Sequence, residues 1–435
     1  MSVDGVDFEE LLALRRDLHR HPEPAWREFY TTARLVDELE SRPLSELYVG
    51  PEVVAGDRTG VPDEDELDSW RERALAAGAR ADVLDRLDGG ATGAVAVLDC
   101  SGEGSDGPTV GLRVDIDALP ITESEDADHR PAVEGFRSEN EGHMHACGHD
   151  AHATVGLGVI DAVAASEFTG TLKVFFQPAE ETVGGGHPMA ESGLLDDVEY
   201  FFALHVGLDH PTGEVVAGVG GFLAVNHFSA EFAGQSAHAG GHPERGRNAV
   251  QAMATAIQNL YAIPRHHDGA TRVNAGLVGG GTAANIVPEE SFVEAEVRGE
   301  TTELMEYMDE KAERVLRSAA EMHDCEVSVE RVGRAPSAES DDALAALVAD
   351  AARETPGVTS ILDADALGGS EDATYLMRHV QERGGLATYV CVGTDHPGGH
   401  HTPTFDVDET TVSLGVDLLT RAILAAGDDP MGLGD

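Results

Sequence analysis

Short β-rich runs at residues 94–98, 109–114, 171–177 and 201–205, with a small-residue helix ending near Ala165 between the second and third, fix most of what this chain can become. Alternation of strands with helices implies an α/β sheet covered by helices on both faces. In such sheets functional groups gather beyond the carboxyl ends of the strands. The polar residues follow that rule. Asp115 and Asp117 follow the second run, Glu180 and Glu181 the third, and His205 closes the fourth. Asp150 reads as the N-cap of the intervening helix.

The rest of the chain divides around this block. Apolar residues at helical spacing predict a helix over 8–20, ended by Pro22 and Pro24, and a second over 31–39. Pro62-Asp63-Glu64 opens an acidic helix to about Ala77, stopped by Gly78. His19, His21 and Glu23 lie between these segments and suit either a site or capping and surface roles. Near Gly220 the pattern changes to strands at 222–232, 272–278, 291–298 and 326–332, with helices at 248–263 and 302–322. That β-α-β-β-α-β order is the ferredoxin-like arrangement. After Pro336 come helices at 341–353, 372–383 and 409–425 and a strand at 388–393, so the simplest account is one α/β domain interrupted by an insert.

The chemistry concentrates at residues 143–152, His-Met-His-Ala-Cys-Gly-His-Asp-Ala-His. In an extended segment Cys147 and His149 point to the same side, and a thiolate beside an imidazole suits a divalent transition metal. Glu180-Glu181 offers adjacent carboxylates that turn different ways, one to ligate and one to act as base. His205 ends a strand, His400-His401 stands in a Gly-rich loop before Pro403, and Asp115 and Asp117 alternate on one face as orienters of a metal histidine. Each signal is modest alone, since Glu-Glu pairs are usually solvated and strand-end histidines usually structural. Their joint placement at strand ends of one sheet is the stronger observation.

Five motifs, Asp115-Ile-Asp-Ala-Leu-Pro, His145-Ala-Cys-Gly-His-Asp150, Phe176-Gln-Pro-Ala-Glu-Glu181, Gly234-Gln-Ser-Ala-His238 and Asn285-Ile-Val-Pro288, resemble those of the M20 metallopeptidase/amidohydrolase family. The likeness covers most of the chain and is nearest to its N-acyl-amino-acid hydrolases, in particular those acting on p-aminobenzoyl-glutamate. Further matches are His129-Arg-Pro-Ala-Val-Glu-Gly-Phe136, Gly240-Gly-His-Pro-Glu-Arg-Gly-Arg-Asn248 and Gly369-Ser-Glu-Asp-Ala-Thr-Tyr375. The resemblance implies a zinc-peptidase-like catalytic domain with a mixed central sheet, residues 1–221 and 336–435, and an inserted ferredoxin-like lid and dimerisation domain, residues 222–335.

It further implies two divalent metal ions with Cys147 shared between them and His149, Glu181, His205 and His401 completing the set. Manganese is the metal the family leans to; the thiolate leaves zinc or cobalt open. Glu180 would be the general base and Asp117 its companion in the catalytic set. His238 would reach in from a partner chain to hold the carbonyl oxygen, and Asn285 and Arg298 would grip the substrate carboxylate. The family motif needs one histidine where His400 and His401 stand together, and spacing to Pro403 and Phe405 selects His401. His143 falls outside the ligand set, and His145 lies behind it. The implied activity is amide hydrolysis of an N-acyl or aroyl amino acid. The alternatives are a general aminoacylase or small-peptide hydrolase, or a catalytically silent metal-binding partner. The implied assembly is a homodimer or a heterodimer with a homologous chain.

Charge bounds the partners. The 435 residues carry 80 acidic and 29 basic side chains, a net charge of -51, and Lys173 and Lys311 are the only lysines. The charges are spread between periodic apolar segments, which points to a folded acidic shell rather than disorder. Nucleic acid and anionic membrane are poor partners for such a surface. Four dispersed cysteines, Cys100, Cys147, Cys325 and Cys391, form no disulfide framework. The first ten residues lack a signal-peptide pattern, and no run of about 18 apolar residues stands out. The expectation is a cytoplasmic protein adapted to high salt. Screening should then stabilise it: its melting temperature is expected to rise with added KCl in differential scanning calorimetry, and a flat dependence would contradict the halophilic reading.

Overall fold

Strands Glu46–Val49, Ala94–Asp99, Thr109–Asp115, Thr171–Gln177, Tyr200–Val206, Glu214–Val216, Ser360–Leu362 and Leu386–Val392 form one eight-stranded sheet in the computed structural model, which describes residues 3–102 and 107–428. Its middle is parallel. Thr171–Gln177 pairs with Thr109–Asp115, which pairs with Tyr200–Val206, which pairs with Leu386–Val392. Towards one edge Glu46–Val49, Ala94–Asp99 and Thr171–Gln177 pair antiparallel. Towards the other, Glu214–Val216 runs antiparallel to Leu386–Val392 and parallel to Ser360–Leu362. The sheet is therefore mixed. Parallel strands must be covered on both faces, so they read as continuous apolar runs; all seven residues of Tyr200–Val206 are buried.

Helix His149–Ala164 packs across this sheet and meets helix Thr410–Asp428. Gly158 allows the approach: a Cβ there would lie 2.6 Å from Val416 Cγ2. Thr410–Asp428 is long and apolar enough to cross a bilayer, contrary to the expectation that no such segment exists. Its Val412, Leu418, Leu419 and Ile423 are instead fully buried in the protein core. Helix Phe8–Arg20 has the expected bounds and is capped by Asp7, whose carboxylate accepts the Glu9 and Glu10 N–H groups. Glu23 serves as a cap as well, its two oxygens each 2.8 Å from the Tyr30 and Thr31 N–H groups at the start of helix Phe29–Glu40.

Asp150 is not an N-cap. Helix His149–Ala164 starts one residue earlier, and Gly148 takes the cap position with φ 86°. A Cβ at Gly148 would stand 2.6 Å from Val206 Cγ2, so both conformation and space demand glycine. The Asp150 carboxylate turns away to Arg15 Nε at 2.8 Å and His19 Nδ1 at 2.8 Å. Arg15 also holds Asp406 at 2.7 Å, which ties the first helix to the segment before the last one.

The second compact unit comprises Gly221–Ser337 with Gly368–Glu371; the remainder of the chain, including Ala338–Leu367, forms the first. Strands Ala224–Ala233, Thr271–Gly280, Glu290–Gly299 and Glu326–Ala335 make an antiparallel sheet in which Glu290–Gly299 and Ala224–Ala233 are central. Helices Ala249–Tyr261 and Thr302–Met322 cover one face, burying Phe228, Phe232, Val293 and Met308. This is the ferredoxin-like order. Thr271–Gly280 is an edge strand, and Leu277, Val278 and the nearby Tyr261 are all exposed.

The buried His19 links two segments, Asp150 on Nδ1 and Glu123 on Nε2 at 3.0 Å, so both ring nitrogens face carboxylates. Burial alone would lower its pKa, but the hydrogen bonds to Asp150 and Glu123 outweigh burial and hold it at about 9. Relative to an unfolded value of 6.5, that shift is worth on the order of 3 kcal/mol. A raised pKa contributes stability that is complete below the unfolded value and is lost as pH climbs through the folded one. Denaturant titrations should therefore show His19→Gln destabilised most near pH 6, with the gap to wild type closing by about pH 9.5. A gap that stays constant with pH would remove the charged His19.

Candidate metal centre

The four parallel strands deliver their carboxyl ends to one edge of the sheet, and the candidate ligands stand there. His205 is the penultimate residue of Tyr200–Val206, Glu181 sits on the turn after Thr171–Gln177, and His401 on the loop after Leu386–Val392. Cys147 and His149 flank Gly148 at the start of helix His149–Ala164. Among the described residues, two of the possible ligand groups share Cys147, one with His149 and His205 and one with Glu181 and His401; within each, one donor atom per residue lies within 4.8 Å of the others. Cys147 belongs to both.

The spacings suit ligands of common ions. Cys147 Sγ lies 3.5 Å from His205 Nε2, His401 Nε2 3.6 Å from Glu181 Oε2, and His149 Nε2 3.9 Å from Glu181 Oε1. Tetrahedral metal bonds of about 2.0–2.3 Å place neighbouring donors roughly 3.3–3.7 Å apart. His205 Nδ1 is 2.7 Å from the Val206 carbonyl, which can only accept, so that nitrogen carries the proton and Nε2 presents its lone pair toward Cys147. His149 is buried and its Nε2 makes no hydrogen bond. Burial would lower the His149 pKa, yet Asp115, Asp117 and Glu181 outweigh it and raise it to about 10. That surplus of negative charge is what bound cations would neutralise, and the donor set of thiolate, imidazoles and carboxylate fits a divalent transition ion.

Buried carboxylates hold these donors in place. Asp117 Oδ1 is 3.3 Å from His149 Nδ1, and its Oδ2 accepts the Glu181 N–H at 3.0 Å, so one side chain orients two candidate ligands. Glu28 accepts the Ala179 N–H at 2.8 Å and the Thr92 hydroxyl at 2.6 Å. Burial first, then the nearby Asp117, pushes its pKa up to about 8. Asp372 accepts the Gly185 and Gly186 N–H groups at 3.0 and 2.7 Å, with the Gln177 amide at 2.7 Å on its other oxygen. The turn carrying Glu180 and Glu181 thus hangs from Glu28, Asp117 and Asp372. It needs the support, because Ala179 and Val183 both adopt left-handed backbone, φ 55° and 48°. Glu180 is buried on this turn. His401 is left-handed too, φ 58°, and its N–H reaches the Ala146 carbonyl at 2.9 Å, which fastens its loop beside Cys147.

His152 was not singled out by its sequence. One turn along the helix from His149, it accepts the Val206 N–H on Nε2 at 2.8 Å and donates from Nδ1 to Asp115. Its ring stacks on His149 with centroids 5.2 Å apart. The spacing of three residues was the available signal. Glu28 carries none, being a lone acidic residue in an acidic chain. His145 is fully buried, and neither ring nitrogen is hydrogen-bonded. His143 lies edge-on to Trp70, its ring centroid 5.0 Å away.

His238, Asn285 and Arg298 belong to the second unit. His238 is exposed, and its Nδ1 accepts the Gly240 and Gly241 N–H groups at 3.1 and 3.0 Å, which puts the ring proton on Nε2. It pairs with Ile286 in a two-stranded ribbon, and the Asn285 carbonyl accepts the Ala239 N–H at 3.0 Å, so these two candidates are neighbours. Arg298 is engaged already. Its Nε and Nη2 grip Glu296 at 2.9 Å each, leaving Nη1 toward Ser370 at 3.5 Å. The two-pronged face expected for a substrate anion is therefore occupied by Glu296.

The model of peptidase family M20/M25/M40 matches residues 111–425. The indole-3-acetyl-aspartic acid hydrolase of Enterobacter agglomerans is 41% identical over 419 residues, 95% of each chain. One of the subunits of the p-aminobenzoyl-glutamate hydrolase of Escherichia coli strain K12 is 40% identical over 414 residues, 94% of each chain. A crystal structure of the aminobenzoyl-glutamate utilization protein of Klebsiella pneumoniae superposes with a TM-score of 0.81 at 36% identity, over 96% of this chain and 95% of that one. Matches of this extent, on a chain whose sheet edge gathers the expected residues, show that the protein is a hydrolase belonging to peptidase family M20/M25/M40.

Proposed function

We propose that this enzyme hydrolyses the amide bond between an aromatic acyl group and an acidic amino acid, p-aminobenzoyl-glutamate being one such substrate. The observation that carries the reading is the pair of ligand groups meeting at Cys147 beside the Glu180-Glu181 turn. The names of the two relatives support the substrate class, since one is a hydrolase of an indole-acetyl conjugate of aspartate and the other of a p-aminobenzoyl conjugate of glutamate. Cys147, His149, Glu181, His205 and His401 would hold two divalent ions; manganese, zinc or cobalt fits the mixed donor set. When bound, such ions polarise the scissile carbonyl and draw the pKa of the attacking water toward ~7.

Glu180 then takes a proton from that water and returns it to the leaving amine nitrogen. Glu28 and Asp117 serve this step by fixing the backbone on either side of Glu180, at Ala179 and Glu181. His238, with its proton on Nε2, donates to the carbonyl oxygen as negative charge develops there. Asn285 and Arg298 bind the amino-acid carboxylate, with Arg298 exchanging Glu296 for the incoming anion or using its Nη1 edge. A second chain supplies His238 in this reading, either another copy or a homologous partner. The exposed apolar residues Leu277 and Val278 on an edge strand suit that pairing. The Escherichia coli relative is named as one subunit of its hydrolase, which favours a second, different chain and the reading that this one contributes to a shared enzyme. A cytoplasmic, high-salt setting belongs to the same proposal and rests on the acidic surface.

A silent partner has no need of a second carboxylate beside a ligating one. Glu180→Gln should lower kcat on p-aminobenzoyl-glutamate and N-acyl amino acids by about 10²–10⁴-fold, with bound metal and KM unchanged. Wild-type turnover in that variant would eliminate Glu180 as base.

A further inference from the structure

His400 is the member of the His400-His401 pair that hydrolysis does not use. While His401 groups with Cys147 and Glu181, His400 groups with His396 and Asp209, and one donor atom from each of these three lies within 4.8 Å of the others. The residues come from two separate segments, the turn after Tyr200–Val206 and the loop after Leu386–Val392. The His396 and His400 rings stand 4.9 Å apart at 72°. His400 Nε2 donates to the Val206 carbonyl at 3.2 Å, which leaves the lone pair of its Nδ1 available. His396 Nδ1 is shielded from solvent and has no hydrogen-bond partner. Such an atom is costly unless something fills its lone pair.

The backbone is shaped around this cluster. Gly207 has φ 84°, and a Cβ there would lie 2.7 Å from His400 Cε1, so a side chain at 207 would displace the ring. Leu208 and Asp209 follow in left-handed conformation, φ 48° and 64°. Among L residues leucine rarely adopts it.

We propose that Asp209, His396 and His400 form a third divalent-ion site, separate from the hydrolytic pair. Two imidazoles and a carboxylate, with no thiolate, select a first-row transition ion such as Zn²⁺ or Co²⁺ over Mg²⁺ or Ca²⁺. An ion there cross-links residues 393–405 to the end of the Tyr200–Val206 strand. That loop carries His401, and the His400 ring lies 5.5 Å from that of His205, so the third ion fixes the segment bearing one hydrolytic ligand beside the strand bearing another. It acts as a clamp and takes no part in the chemistry.

Thiolate chemistry separates this site from the other one. Cobalt bound by Cys147 gives a near-ultraviolet sulfur-to-metal charge-transfer band, and cobalt bound by Asp209, His396 and His400 gives none. The full-length protein, stripped by chelator, is titrated with Co²⁺ in molar KCl with excess Mg²⁺ to screen surface carboxylates, and bound metal is counted after dialysis. Wild type should take up an equivalent of cobalt beyond the point where the thiolate band saturates. His396→Gln and Asp209→Asn should each lose that equivalent while keeping the full band. Both substitutions lie outside the buried core, and unchanged melting of the metal-stripped variants checks that they fold. Uptake that ends with the thiolate band, or a band-silent equivalent retained in both variants as an adventitious ion only, would overturn the site.

Discussion

Parallel pairing of Thr171–Gln177, Thr109–Asp115, Tyr200–Val206 and Leu386–Val392 sets everything else at the site. Because these strands run the same way, the chain must leave each of them at the same edge, and residues far apart in sequence arrive together. Register sharpens this: Asp115 stands opposite Gln177, and Cys391 opposite His205. The remaining donors are His149, which opens its helix, and Cys147, two residues before it. No local segment could assemble such a set, since Cys147 and His401 are brought together only by the sheet.

Assembling carboxylates in a buried place is expensive, and the structure shows how the expense is met. Each is supplied with donors: Asp117 and Glu28 take backbone N–H groups from the turn carrying Glu180 and Glu181, Asp372 takes two more, and Asp115 is held by Arg113 and His152. The same bonds hold Ala179 and Val183 in conformations that would otherwise relax. In the proposed function support and chemistry are inseparable, because the groups that stabilise the turn also fix the backbone at Glu181 and, through Ala179, beside Glu180. What they leave is a surplus of negative charge next to a thiol and three histidines, the environment in which a divalent cation is stable.

Much of this was legible in the sequence for identifiable reasons. Long elements declared themselves through period and stop signals, so Phe8–Arg20, Thr171–Gln177 and Thr302–Met322 have the expected bounds. Candidate ligands were legible because their motifs follow strands or precede a helix and resemble those of a known family, although only His205 ends a strand and only His149 opens a helix. The short strands Glu46–Val49, Glu214–Val216 and Ser360–Leu362 were not, since three or four residues carry no periodicity. Asp150 misled because aspartate is a common N-cap, whereas Arg15, far away in sequence, claims its carboxylate. Glu28 could not be read at all, and His152 only through its spacing from His149: their roles arise from which backbone amide the fold sets against them. Arg298 pointed to an anion, and Glu296, two residues before it on the same strand, already supplies one.

The two ions of the proposed function would meet at Cys147, on the parallel edge of the sheet. Anomalous diffraction from crystals of the metal-loaded enzyme, recorded at the metal absorption edge, addresses this arrangement without reference to turnover. The account requires two peaks at that edge that share Cys147 Sγ, at a separation of about 2.3 Å from sulfur for zinc, with His205 and His149 on one and Glu181 and His401 completing the pair. A single peak there, or peaks out of reach of Cys147, would contradict it.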